Sequence, residues 1–578
     1  MLTDEQIVED LKKLRDIAIE LKAPGSPLAT TTAVINGVEI PVFANVPVNL
    51  REIYRLGLQA ADKDFLVYDD ERYTFRQALE TAEAMAQVML ARYQIAKGDR
   101  VAICARNFPE WCLAFMSVTM IGAIAVPMNS WWQGNELVYG LKDSGARLLF
   151  VDQERLDRLL PLTSEIDAEI VVIKPDAAAS QPFPEFHDLV AEGLTGPQQD
   201  LDGLPIAADD DATIMYTSGS TGAPKGVLSS HRNIISALYS WLFGKEATDR
   251  LRPELVEPNP EFQPAILSNV PLFHVTGCHA QFLVSFLYQR KFVMMYKWNA
   301  EKALELIEQE RISVLHGVPT MTWEVMQSPM FEQTDLRSLR TVQSGGAARP
   351  PGHLAQMQRK FADIVQPGLG YGLTETNAVG ATITGSFYLA KPESTGRATQ
   401  PVTEICIKDE QGNALDNGQI GEICIRGATV MKEYWKRPQD TEETLRDGWF
   451  HTGDLGYLDA HGFLIIKDRA KDIVIRGGEN VACAEVEYAL SEHPDVFEAA
   501  AYGLPDERLG EIVGASVMIK AGSSLDEAGL QAFLRERIAH YKVPSHIWLQ
   551  TEQLERIATG KIAKKALREQ AIERLNLQ

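Results

Sequence analysis

The sequence predicts an α/β protein of several domain-sized units, and three observations carry that prediction. Its 578 residues give length for about four units of roughly 150 residues each. Between about Leu50 and Val365, short apolar runs (Arg100-VAIC, Arg147-LLFV, Ala168-EIVVI) alternate with stretches of helical period such as Phe75 to Tyr93 and Ala300 to Gln309. That alternation is the pattern of parallel sheet with helical crossovers. After Gly380 the texture changes to short strands separated by turn residues.

Taken in order, the start MLTDEQIVEDLKKLRDIAIELK is acidic and amphipathic where a secretion signal would be basic and then continuously apolar. The longest uncharged run, Trp111 to about Met128, is shorter than the roughly 20 residues a membrane span needs and contains Gly122 and Pro127. It reads as a buried helix passing into a strand. Trp131 and Trp132 follow and read as packing. The acidic, Pro-rich stretch Arg250 to Pro264 reads as a surface excursion. From Pro392 to Phe463, the strands Glu404-ICIKD and Gly421-EICIRG among Gln-Gly-Asn, Asp-Asn-Gly and Asp-Gly turns predict small antiparallel or barrel-like β structure. From Asp472 onward a small α+β unit is expected: a helix near Glu485 to His493, a strand pair (Val496 to Leu504, Glu511 to Lys520), a helix over Leu525 to His540, and a basic tail.

Lys plus Arg number 56 and Asp plus Glu 79, a net charge of −23, with 45% hydrophobic residues. Such a field repels nucleic acid backbones and anionic lipid, so an anionic ligand has to be held locally. The six cysteines lie far apart with no C-x-x-C pair, which reads as reduced thiols in a cytoplasmic protein.

The densest chemical signal is Tyr216-TSGSTGAPKG-Val227. Ten residues carry three Gly, two Ser, two Thr and Lys225. Glycines let successive N–H groups converge, hydroxyls add donors, and the lysine supplies mobile positive charge, which together suit a polyphosphate. This is not the Walker loop, because Gly226 stands where that loop has Ser or Thr.

TSGSTGAPKG resembles the phosphate-binding signature of the adenylate-forming enzymes: acyl-CoA synthetases, adenylation domains and luciferases. Four more segments match that family in order, namely Pro271-LFHVTG, Gly370-YGLTETN, Gly448-WFHTGDLGYLDAHGFLIIKDRAKDIVIRGGENV and Thr559-GKIAKKAL. The resemblance therefore spans nearly the whole chain. It implies a large N-terminal domain (residues 1–470) of two α/β subdomains plus a β-barrel-like one. A small mobile α+β C-terminal domain (471–578) would be hinged at Lys471.

Residue by residue, the resemblance implies that Thr217, Ser218, Gly219, Ser220, Thr221, Gly222 and Lys225 hold phosphate. Gly345, Gly346 and Ala347, in Ser344-GGAA, would pass the adenine, with Gly370, Tyr371 and Gly372 beside it. Thr374 would contact phosphate and Glu375 would hold Mg²⁺, a hard cation that prefers oxygen ligands. Asp454 would accept from the ribose hydroxyls, with Arg469 reaching the same ribose. Gly477 and Gly478 would guide the pantetheine of coenzyme A. His274, Val275, Thr276, Gly345, Gly370 and Val379 would line the acyl pocket. Lys561 would stand where a carboxylate meets the α-phosphate, a junction of two anions that a cation stabilises. Thr374, Glu375, Lys225 and Lys561 are thus the catalytic set.

Two departures stand out. Glu555 precedes Arg556 where the family has Pro, and Ala482 and Cys483 follow Gly478-ENV where an aromatic and a Pro or small polar residue are usual. The implied activity is that of an AMP-forming acid–thiol ligase, using ATP, Mg²⁺ and coenzyme A to convert a hydrophobic carboxylic acid to its thioester through an acyl adenylate. Fatty, aryl and alicyclic acids stay open, as does a homodimer. Two rivals remain: an adenylation enzyme that loads a carrier protein, and a catalytically silent nucleotide-binding regulator.

Overall fold

A computed structural model describes residues 2–575 apart from 36, 177–181, 218–223, 257–260, 346–350, 362–364, 470–471, 477–478 and 558–560, with backbone alone for 351, 352, 469 and 480. The α/β expectation holds: a large N-terminal domain carries three major sheets and a small C-terminal domain carries one.

The first sheet has seven strands. Its parallel core is Asp211–Thr217, Ile124–Pro127, Arg100–Cys104, Leu148–Asp152 and Glu169–Ile173, and it is extended antiparallel by Lys225–Ser230 and Glu433–Tyr434. The runs at Arg100, Leu148 and Glu169 are therefore strands, as expected. They are apolar on both faces because a parallel sheet with crossover helices is covered on both sides. The helix Pro109–Met120 that follows Arg100–Cys104 is buried at every position, with Trp111 stacked on Phe115 at 5.5 Å. Each such large apolar side chain contributes about 1.5–3 kcal/mol.

The second sheet positions the site. Its nine strands run in the order Arg397–Ala398, Ala381–Thr384, Gln366–Tyr371, Thr341–Gly345, Val314–Gly317, Ala265–Ser268, Lys291–Met294, Asp64–Tyr68, Glu71–Thr74. The pairing from Gln366–Tyr371 through to Asp64–Tyr68 is parallel, so the carboxyl ends of these strands, including Gly345 and Gly370, align along one edge. Ligands of open α/β sheets bind at that edge. The third sheet, Thr403–Lys408, Gly421–Gly427, Trp449–Leu458, Leu445–Arg446 and Leu464–Arg469, is antiparallel throughout, as the turn-rich sequence predicts.

The C-terminal sheet pairs Val496–Asp506 with Gly510–Ile519 and adds Ile473–Arg476, Glu479–Ala482 and, in parallel, His546–Gln550. The helix expected over Leu525 to His540 is shorter, Glu527–Arg535, capped by Asp526 accepting from the Gly529 N–H. The basic tail is a helix, Lys564–Leu575.

Two further expectations change. The stretch from Arg250 is not wholly a surface excursion: the helix His231–Leu251 runs into it, and Leu255, Val256 and Glu261 to Pro264 form part of a cavity wall. Trp132 is buried, but Trp131 is 47% exposed, its ring covered by the Arg106 guanidinium at 4.5 Å. Among the described residues no helix is long and apolar enough to cross a membrane.

Candidate active site

The strands Asp211–Thr217 and Lys225–Ser230 pair antiparallel with Thr217 opposite Lys225. They bracket the Gly-rich segment, whose residues Ser218, Gly219, Ser220, Thr221 and Gly222 lie outside the described residues. Lys225 forms an ion pair with Asp440 and lies 5.3 Å from the Tyr434 ring centroid. The Tyr434 hydroxyl donates to Glu375 Oε1 at 2.8 Å. Burial and that carboxylate both push the Tyr434 hydroxyl pKa well above its usual value, so the phenol stays a donor. The structure thus brings Lys225 and Glu375, 150 residues apart in sequence, to one phenolic ring.

Glu375 is buried in the turn Thr374–Thr376, where the Leu373 N–H donates to Thr376 Oγ1 at 3.0 Å. Asn377 and Ala378 then adopt left-handed φ values of 53° and 65°. Ala378 is neither Gly nor Asn, and such conformations cost about 1–3 kcal/mol unless the surroundings impose them. Here they are imposed: Asn377 Nδ2 donates to Ser229 Oγ at 3.1 Å and to the Thr429 carbonyl at 2.9 Å. Gly372 is required by the same turn, since a Cβ there would come within 2.4 Å of the Ala378 carbonyl carbon.

Tyr371 donates to Asp454 Oδ2 at 2.6 Å. Asp454 is buried, its N–H donates to Thr452 Oγ1, and it stands opposite Arg469 in the antiparallel ladder. The two residues expected at one ribose are therefore register partners. Gly345 and Gly370 are also partners, on adjacent parallel strands. A Cβ on Gly370 would meet nothing within 4 Å, so the paired glycines leave open space.

That space is the upper end of a cavity of about 1690 Å³. One wall is the sheet face from Val314 to Thr384. A second is a stripe of residues four apart, Thr276, Ala280, Val284 and Tyr288, on a π-helix (Thr276–Leu283) that continues as the α-helix Val284–Tyr288. The helix His231–Leu251 and the N-terminal helix Asp4–Lys22 complete it. Of the acyl-pocket residues expected from sequence, Thr276, Gly345 and Gly370 line this cavity. Val275 and Val379 are turned into the core instead, and His274 sits beside the cavity rather than on its wall.

The His274 Nε2 atom is shut off from solvent and has no hydrogen-bond partner among the described residues. Burial and, second, the charge of Lys561 drive its pKa down to about 3, so its imidazole is neutral near pH 7. Lys561 of the C-terminal domain is thus near enough for its charge to act on this imidazole. A direct contact between the two domains is Gln553 Nε2 to Glu324 Oε1 at 3.1 Å.

Gly346, Ala347, Lys471, Gly477 and Gly478 lie outside the described residues, and for Arg469 only the backbone is described. Sequence reasoning missed Tyr434 and Asp440, which sit in a charged stretch with no signature of their own, and most of the cavity wall. Only three-dimensional proximity identifies them.

Fold and site define a class: an enzyme with a large α/β domain, in which two paired strands bracket a glycine-rich segment, and a small α+β C-terminal domain. The chain belongs to the AMP-binding enzyme family, which it matches over residues 56–435, with the family's C-terminal domain over 485–561, and within it to the adenylate-forming CoA ligases. It is 34% identical to the long-chain-fatty-acid–CoA ligase FadD13 of Mycobacterium tuberculosis over 501 residues, 87% of this chain and 93% of that one. It is 33% identical to the human mitochondrial medium-chain acyl-CoA ligase ACSF2, covering 89% and 85%. Among solved structures, the anthranilate CoA ligase AuaEII in complex with anthranoyl-AMP superposes with a TM-score of 0.81 at 26% identity, covering 92% and 99%. A Mycobacterium tuberculosis fatty acyl CoA synthetase gives 0.67 at 31%, covering 90% and 98%.

Proposed function

We propose that this chain is a cytoplasmic, ATP-dependent acyl-CoA synthetase for large hydrophobic acids. The carboxylate attacks the α-phosphate of ATP, pyrophosphate leaves, and the thiol of coenzyme A then displaces AMP from the acyl adenylate. The observation that supports this reading is the convergence of Lys225 and Glu375 on the Tyr434 ring, together with a cavity of about 1690 Å³ lined by Gly345 and Gly370. Lys561, whose charge reaches His274, is assigned to the junction where the substrate carboxylate meets the α-phosphate, and there it offsets the repulsion between the two anions.

Lys225 and the loop from Thr217 to Gly222 are assigned to the phosphates, with Lys225 exchanging Asp440 for a stronger anion. Tyr371, Gly372, Gly346 and Ala347 are assigned to adenine, and Asp454 and Arg469 to the ribose. The buried Glu375 carboxylate and the neighbouring, partly exposed Thr374 hydroxyl offer oxygen donors only, which fits Mg²⁺. The ion, when bound, would neutralise phosphate charge. Gly477 and Gly478 are assigned to pantetheine and Lys471 to a hinge that re-presents the small domain for the second step. The cavity volume exceeds the roughly 300–1,000 Å³ typical of small-molecule sites, which favours long or polycyclic skeletons. All six cysteines are unpaired, as a reducing compartment requires.

The test is pyrophosphate release from ATP and Mg²⁺ across fatty, aryl and alicyclic acids, with and without coenzyme A. Turnover that depends on coenzyme A is expected. Release indifferent to it would point to a carrier-protein acceptor, and silence across the panel would refute the reading.

A further inference from the structure

The cavity is not uniformly apolar. Among its described lining residues Lys and Arg number nine against two Asp or Glu, in a chain whose net charge is −23. Several of these cations are matched: Arg252 by Asp10, Lys245 by Asp249 and Arg311 by Asp335. Arg290 is different. It lies between the helix Val284–Tyr288 and the strand Lys291–Met294 and is 6% exposed. Burial pulls its pKa down to about 10, with the Tyr288 hydroxyl its only opposing influence and no carboxylate acting on it. It is therefore charged at neutral pH and lacks an acidic counter-ion among the described residues.

Its orientation is fixed. Nε donates to Ser285 Oγ at 2.9 Å, Nη2 donates to the carbonyls of Gln281 at 3.2 Å and Ala280 at 3.4 Å, and the guanidinium lies 5.3 Å from the Tyr288 ring centroid. These bonds satisfy carbonyls at the irregular π-to-α turn, a task that a neutral donor could perform. They do not account for the charge, whose burial without a counter-ion is strongly unfavourable. Nη1 makes none of these bonds, and the residue lines the cavity.

Register sets its distance from the reacting end. Phe292, Ile266, Val314, Thr341 and Gln366 form one row across the sheet. Along the strands Gly370 is four residues beyond that row and Arg290 two before it, six residues or roughly 20 Å at about 3.3 Å each; across the sheet they lie four strand spacings apart, roughly a further 19 Å at about 4.8 Å each.

We propose that Arg290 receives a second anionic group of the substrate, so that the preferred acids carry a carboxylate at the end of a hydrophobic skeleton remote from the carboxylate that is activated. This rests on the acyl-CoA synthetase reading and narrows its substrate class. A preoriented guanidinium held largely out of water forms charge-assisted bonds of about twice the ordinary strength, and an uncharged end would leave its charge unpaired.

The test uses the full-length enzyme and compares kcat/KM for AMP formation, with coenzyme A present, across α,ω-dicarboxylic acids of increasing length. Each diacid is set against its ω-monomethyl ester and the corresponding monoacid. At the length that reaches Arg290, the diacid should exceed its ester by about 10- to 100-fold, the worth of a hydrogen bond to a charged group. Arg290→Gln should collapse that ratio to about threefold or less, mainly through KM, and Arg290→Lys should retain part of it. Should Arg290→Gln fail to fold, the wild-type diacid-to-ester ratio and the Arg290→Lys variant decide the matter. Turnover of monoacids with no diacid preference at any length, or a preference that Arg290→Gln leaves intact, would overturn this inference alone. No turnover of any acid would overturn the synthetase reading and the inference with it.

Discussion

The two ends of the nine-stranded sheet are built differently. At the carboxyl ends of Thr341–Gly345 and Gln366–Tyr371 the wall is bare backbone, two glycines side by side, and the side chains that act there come from runs of adjacent motif residues. At the amino ends the wall is side chain: Arg290, Arg311 and Arg340 from three separated segments meet only because the strands align. The reacting end is thus specified locally and the selecting end by register, so the two should respond differently to substitution.

The largest expected effect is at the reacting end. Lys561→Ala should lower acyl-adenylate formation, read by pyrophosphate exchange, by about 1,000-fold, while the reaction of supplied acyl adenylate with coenzyme A stays near wild type. Equal loss of both half-reactions would remove Lys561 from the first step. Glu375→Gln should cost about 100-fold in the same exchange assay and raise the Mg²⁺ concentration needed for half-maximal rate. Stability rather than rate should separate the neighbouring glycines. Gly372→Ala forces a Cβ into the Ala378 backbone and should cost about 2 kcal/mol, read as a lower urea midpoint, whereas Gly370→Ala should fold as well as the parent. Tyr434→Phe, which removes one hydrogen bond to the Glu375 carboxylate, should cost about tenfold in rate.

A separate effect, on stability and not on rate, concerns pH. His274 and His279 are held at pKa values of about 3 and His231 at about 4, each by burial first, from an ordinary 6.5. Below pH 6.5 the unfolded chain takes up protons that the native one refuses, so these groups lower stability progressively from about pH 6.5 toward 4. The urea midpoint should fall over that window, and His279→Leu should flatten the fall. An unchanged slope in His279→Leu would show that other groups set it.

Much of this molecule was legible in its sequence where the information is local. The strands at Arg100, Leu148 and Glu169 are continuous apolar runs, and the phosphate-type loop, Glu375, Asp454 and Lys561 announce themselves by their neighbours. What was not legible depends on folding. Nothing in Leu287-YQRK-Phe292 separates Arg290 from an ordinary basic turn, because the lack of a partner is a property of the fold. Val275 and Val379 were placed in the acyl pocket by resemblance, yet neither lines the cavity, since apolar character cannot distinguish a pocket wall from the core behind it. The left-handed pair Asn377–Ala378 is likewise unreadable, as alanine carries no preference for that conformation.

The N-terminal helix Asp4–Lys22 closes one side of the cavity and buries Ile7 in a cluster with Leu354, Leu369, Ile383, Tyr388 and Phe463. It leaves the ribosome before all of those partners, and the last of them follows about 440 residues later, tens of seconds at about 5–20 residues per second. A lone helix of this length is marginal in water. The C-terminal half of its apolar stripe packs with the helix His231–Leu251, but the Ile7 end has its full cluster, and that side of the cavity is completed, only once nearly the whole large domain has been synthesised.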